Sequence, residues 1–179
     1  RRHPEILVEI NLTDSLVDIA AGQADVAVRM GPLPDGPLTA RKLGETHKVI
    51  VASPSYLARR GTPQVPEDLL KHDCIGFNFK RGAPLWPFRK EGRDYSLPIK
   101  GSVETNNGDT QGQLATEGIG IARVCVETVE EFIQTGRLVP LLEAFNPGDG
   151  EEIHAVFLGG PHTPVRVRCF IDYLVERFQ

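Results

Sequence analysis

The chain has 179 residues, 40% of them hydrophobic and 25% charged, with a formal net charge of −4 and a pI near 5.7. That composition belongs to a soluble globular protein of one domain or two small lobes. It excludes a membrane-spanning helix, since no run approaches the roughly 20 apolar residues required. It also argues against direct nucleic-acid binding, since no basic stripe is interleaved with aromatics.

Arg1-Arg2-His3-Pro4 has neither an initiator methionine nor the basic-then-apolar pattern of a signal peptide. It reads as the internal start of a piece of a longer chain. Cys74, Cys125 and Cys169 are odd in number, far apart and set among apolar neighbours. They read as reduced, buried thiols of a cytoplasmic protein rather than a disulfide framework.

In chain order, "ILVEIN" (6–11) predicts a buried strand, and Thr13-Asp14 offers a cap for a helix carrying Leu16, Val17, Ile19 and Ala20 and stopped at Gly22. "ADVAVRM" (24–30) predicts a second strand ending in the turn-rich "GPLPDGP". Strand, helix and strand at this spacing predict a parallel βαβ unit. "HKVIVAS" (47–53) predicts a third buried strand. Short helices follow, one from Pro54 to Gly61 and one from Pro66, with Glu67 and Asp68 complementing the helix dipole.

Residues 74–100 change texture. "CIGFNF" is strand-like, "GAPLWPF" is rich in aromatics and proline, and "KEGRDYSLP" predicts a hairpin around Gly92. A helix over 111–117, a strand "GIARV", a helix "VETVEEFIQTG", the segment "RLVPLL", a strand "EIHAVFL" and an amphipathic C-terminal helix complete the chain. That last helix carries Val167, Phe170, Ile171, Leu174 and Phe178 on one side. Alternating strands and helices define an α/β class.

The stretch "TNNGDTQGQLATEGIGIARV" (105–124) holds the functional question. A dinucleotide loop needs its glycines between a strand and the helix that follows it. Here Gly118-x-Gly120 follows the helix instead, so Gly118 reads as its left-handed stop. At the other end, Thr105-Asn106-Asn107-Gly108-Asp109 leads from a strand into the helix N-terminus, where unpaired N–H groups can receive a carboxylate or another anion. The competing explanation is that an Asn or Asp here simply caps the helix.

The blocks "GQADVAVRMGPLPDGPLTARKLG", "VIVASPSYLARRGTPQVPEDLLKHDCI", "TEGIGIARV", "GRLVPLL" and "FIDYLVERF" resemble, in order and over essentially the whole chain, the effector-binding domain of LysR-type transcriptional regulators. The block from Ala52 to Cys74 is the most specific. The resemblance implies two Rossmann-like α/β lobes of the type II periplasmic-binding-protein kind, joined by two crossing strands near "HKVIVAS" and "EIHAVFL". One lobe would comprise residues 1–50 with 158–179, and the other 51–157. A small, anionic effector would bind in the interlobe cleft and control transcription through a winged helix-turn-helix carried on an absent N-terminal part. The full-length protein would form a homodimer or tetramer.

On that resemblance the effector site maps to the turn Arg29, Met30, Gly31 and to Thr105, Asn106, Asn107 and Gly108, with Phe77, Phe79 and Trp86 as potential apolar walls. Arg29 reads equally as a cation for a ligand carboxylate or as a surface residue at a strand end. Three departures stand out. The chain starts beyond the family's first strand and most of its first helix, Cys125 stands where a proline is usual, and "FLGG" replaces an aromatic-proline pair.

No nucleophile elbow, catalytic triad, metal-binding His/Cys spacing or cofactor motif is present in the sequence, so neither an enzyme nor a cofactor is expected. A solute-binding protein of a transport system, with the same fold, is the alternative.

Overall fold

The computed structural model describes residues 3–13, 17–31, 33, 36–78, 85–161 and 163–178. Chain packing divides the protein into two compact units, Arg1–Thr46 with Glu151–Gln179 and His47–Gly150.

In the first unit, β1 (Val26–Met30) pairs antiparallel with β9 (Gly150–Leu158), and β9 neighbours the first part of the long β2 (Leu38–Ala52). The C-terminal helix α4 (Val165–Phe178) buries Val167 and Ile171 against Leu43, Ile153 and Ala155. Leu174 packs on the same cluster, while Phe178 at the end of the stripe is 45% exposed.

The predicted parallel βαβ unit is not formed among the described residues. The "ILVEIN" segment is irregular, with Leu7 96% exposed. β1 has β9 as its ladder partner, and that pairing is antiparallel. An apolar run becomes a strand only when a neighbour takes its backbone hydrogen bonds. Of the predicted first helix, 14–16 lie outside the described residues. The remainder is a turn, in which Gly22 N–H bonds to the Ile19 carbonyl at 3.0 Å and Ile19 is buried.

In the second unit the later half of β2 lies between β7 (Ile121–Cys125) and β8 (Val139–Leu141), antiparallel to both. β7 then pairs parallel with β3 (Cys74–Phe77), and β3 with the short β6 (Glu104–Thr105). The helices α2 (Gly108–Thr116) and α3 (Val126–Gln134) cover Val49, Val51, Ile75, Ala122 and Val124. On the other cluster, Tyr56 of α1 (Pro54–Arg60) packs with Ile50, Leu69, Phe88, Ile99 and Ile121. Each large apolar side chain fully buried there stabilises the fold by about 1.5–3 kcal/mol.

Local signals explain most boundaries in this unit. Ser53 Oγ accepts the Tyr56 N–H at 3.3 Å, Pro54 occupies the first turn of α1, and Gly61 closes it with φ +83°. The segment Pro66–Lys71 is a 3-10 helix rather than an α-helix. There the Asp68 carboxylate accepts the N–H groups of Gln64 (3.0 Å) and Val65 (3.2 Å), and those bonds hold its pKa below the usual range.

β4 (Leu85–Lys90) and β5 (Arg93–Pro98) form the expected hairpin. Its two-residue turn has φ +51° at Glu91 and +75° at Gly92, the left-handed pair that matches strand twist. Arg89 and Asp94 pair across it in a two-pronged bond of 2.6 and 2.9 Å. The chain leaves this unit through a latched loop. Asn146 Nδ2 donates to the Lys48 carbonyl at 2.8 Å, and the buried Arg123 pairs with Asp149. Because β2 and β9 each carry residues of both units, they are the two crossing strands.

Candidate functional site

β3 and β6 run parallel, with Gly76 opposite Glu104 and Phe77 opposite Thr105. In α/β folds, ligands sit outside the carboxyl ends of such strands. From Thr105 the chain turns through Asn106 into α2. The Thr105 hydroxyl organises that turn, donating to the Asn107 carbonyl at 2.8 Å and accepting the Asn107 N–H at 3.1 Å. Asn107 is the N-cap, with extended φ and ψ, and its Oδ1 accepts the Thr110 N–H at 2.9 Å and the Thr110 hydroxyl at 3.2 Å.

The helix therefore starts at Gly108, three residues earlier than the sequence pattern indicated. The half-buried Phe77 lies 4.0 Å from where a Cβ on Gly108 would stand, so a side chain there would close onto the ring. The exposed Asn106 is left with its amide unengaged among the described residues. The structure thus gathers Phe77, Thr105, Asn106, Asn107 and Gly108 around one helix N-terminus, where first-turn N–H groups and the helix dipole favour an anion. Asn107 caps the helix through its side-chain Oδ1, and Asn106 is exposed.

The other end of α2 ends the nucleotide question. Gly118 has φ +74°, its N–H bonds to the Ala115 carbonyl at 3.0 Å, and the Ile119 N–H reaches Leu114 at 3.1 Å. That pair of bonds is a Schellman stop. Gly120 serves a different need, because a Cβ there would lie 2.4 Å from the Asp73 carbonyl oxygen.

In the first unit, Arg29, Met30 and Gly31 end β1. Arg29 stands opposite His154, and its guanidinium donates to the Val17 carbonyl. Met30 is 55% exposed. Gly31 has φ +82°, and its N–H bonds to the Glu152 carbonyl at 3.1 Å. Trp86 is part of the core beside Phe88 and Ile99. Phe79 lies outside the described residues.

The cysteines are free, as expected, but only Cys74 is buried, whereas Cys125 and Cys169 are half-buried. Burial, with the neighbouring Asp73 carboxylate adding to it, pushes the Cys74 thiol up to about 12, so it stays protonated and inert. His72 is likewise structural. Its Nδ1 lies 3.2 Å from the Tyr56 hydroxyl, which accepts the Asp73 N–H at 2.9 Å, and burial lowers its pKa. No cluster of metal-binding side chains occurs among the described residues.

Sequence reasoning missed two polar features, the Arg123–Asp149 pair and the fully buried Gln111 in the first turns of α2. The run "DTQGQ" hides Gln111 because α2 lacks a clear apolar stripe to mark which positions face inward.

Two α/β units share two crossing strands, and a polar strand-to-helix turn lies at the carboxyl edge of one sheet. The whole chain, residues 1–179, matches the model of the LysR substrate binding domain. It is 31% identical over 176 residues to the HTH-type transcriptional regulator CrgA of Neisseria meningitidis, covering 98% of this chain and 58% of the relative. It is 33% identical over 178 residues to PtxR of Pseudomonas aeruginosa, covering 98% and 56%.

Among solved structures, the CrgA regulatory domain superposes with a TM-score of 0.82 at 30% identity, covering 90% of this chain and 78% of that one. Full-length AphB of Vibrio cholerae gives 0.83 at 26%, covering 99% and 60%. The chain belongs to the LysR substrate-binding domain family. It spans a little over half the length of the curated relatives it matches. The transport-receptor alternative finds no support in these matches.

Proposed function

We propose that the whole protein is a cytoplasmic, homodimeric or tetrameric transcription factor. A winged helix-turn-helix outside this chain binds DNA, and this domain responds to a small anionic effector. The observation that carries the reading is the N-terminus of α2, capped by Asn107 and flanked by the unengaged Asn106 and by Phe77. The effector's anionic group is received there by first-turn N–H groups and by Asn106. Arg29, Met30 and Gly31, which end β1, are further effector contacts. Residues 1–50 with 158–179 act as one functional lobe and 51–157 as the other, divided a few residues further along the two crossing strands than chain packing divides them. The effector changes transcription only in so far as it binds two arrangements of the regulator unequally.

The test titrates the 179-residue chain with a panel of small mono- and dicarboxylates, reading thermal stability and calorimetric affinity. At least one should bind, and N106A and R29A should each weaken it by about tenfold, or roughly 1.4 kcal/mol. N106A should leave the unliganded melting temperature unchanged. N107A should instead cost about 1 kcal/mol of stability through the lost cap. In the full-length regulator the same carboxylate should shift DNA affinity. Unchanged affinity in both N106A and R29A would place the effector elsewhere.

A further inference from the structure

Gln111 is 1% exposed, on the face of α2 that packs against the sheet. A buried amide is ordinarily bonded at both ends, because an unmatched polar atom carries its full desolvation penalty. Here Nε2 donates to the Gly76 carbonyl at 2.8 Å, whereas Oε1 is buried without a hydrogen-bond partner among the described residues. An apolar side chain of similar size would avoid that unmatched oxygen. What the amide adds is the tie to Gly76.

That tie closes a ring around the effector turn. Gly76 stands opposite Glu104 in the β3–β6 ladder, and the next pair is Phe77 with Thr105. The Thr105 hydroxyl bonds both backbone groups of Asn107, and the Asn107 carbonyl accepts the Gln111 N–H at 3.2 Å. Gln111 Nε2 then returns to Gly76. Helical side chains lean toward their helix N-terminus, which sets this amide behind the first turn. On the other side Gly112 lets α3 press close, since a Cβ there would stand 2.9 Å from Val129 Cγ1. The helix is thus pinned from both sides at the level of its N-terminus.

We propose that Gln111 is a positioning residue for effector binding. It fixes the first-turn N–H groups of α2 against the carboxyl edge of β3 and β6, in the geometry an anion needs. The inference rests on the reading of the Thr105–Gly108 turn as the effector's anion site.

The 179-residue chain, labelled with 15N, is titrated with inorganic phosphate and, separately, succinate, following the amide signals of Gly108 and Asp109. Wild type should show saturable shifts with at least one probe. Q111M keeps the side chain's length without the donor. It should weaken the apparent affinity by about fivefold or more, and its melting temperature should be equal or higher. Hydrogen exchange at residues 107–111 should also speed up. Wild-type shifts with unchanged Q111M affinity would overturn the inference and leave the anion site standing. Parallel losses of stability and affinity would make Gln111 merely structural and overturn it as well. No saturable shift in wild type would sink the anion site, and the inference with it. Should Q111M not fold, Q111L, likewise apolar and lacking the Nε2 donor, is read by the same criteria.

Discussion

Residues 6–12 and 49–52 are both apolar stretches of strand-forming composition, yet they meet opposite fates. Val49, Ile50, Val51 and Ala52 are buried in β2, laddered to β7 and, from Ile50 onward, to β8. Leu7, Ile10 and Leu12 lie exposed on irregular backbone, Leu12 at 87%. The difference is not in side-chain hydrophobicity. A strand is a property of a pair, and an unpaired edge yields neither backbone hydrogen bonds nor a second apolar layer.

The contrast can be broken most forcefully by deleting volume in one region and apolar surface in the other. I121A, at a fully buried position touching the Tyr56 cluster, should lower unfolding free energy by about 2–5 kcal/mol. L7S should change it by less than about 0.5 kcal/mol. Urea denaturation of both variants of the 179-residue chain decides. A comparable loss in L7S would mean that the segment is packed in solution.

A medium-sized effect separates two glycines that the sequence pattern treats alike. G120A forces a Cβ to within 2.4 Å of the Asp73 carbonyl oxygen, so about 1–3 kcal/mol should be lost as backbone is displaced. G118A places alanine at φ +74° with its Cβ 3.0 Å from Ser55 Oγ and 3.2 Å from Arg59 Nη2, side-chain ends that can shift, and should cost about 1–2 kcal/mol, chiefly the penalty for a left-handed non-glycine residue. Equal losses in thermal melts would show that the close approach to Asp73 relaxes freely.

The smallest effect concerns Asp68. Its folded pKa is depressed chiefly by the Gln64 N–H and then the Val65 N–H. A depressed carboxylate pKa contributes stability that is present above the unfolded value and is lost as pH falls through the folded one. Wild type and D68N should therefore differ most near neutrality and converge as pH drops below the ordinary aspartate value of 3.8. A gap that persisted in acid would assign the bonds to geometry rather than charge.

Much of the second unit was legible before its structure. Pro54 and Gly61 bracket α1, Gly92 marks the hairpin, and Gly118 stops α2, because each is decided by local backbone chemistry. The turn from Thr105 to Gly108 was legible as a candidate site for the same reason. Which asparagine caps and which is left exposed was not, since the cap depends on where α2 begins, and the Thr105 hydroxyl sets that by holding Asn107. The 3-10 form of Pro66–Lys71 and the core placement of Trp86 were equally hidden.

The sequence by itself determined the α/β class through its apolar patterning and the local stops and starts through short-range sterics and hydrogen bonding, and its blocks carried the resemblance to the family. Only the tertiary structure decided that residues 6–12 have no strand partner among the described residues, that Arg29 donates to the Val17 carbonyl, and that Gln111 ties α2 to Gly76. Those outcomes depend on which distant backbone groups meet, and no local pattern encodes that.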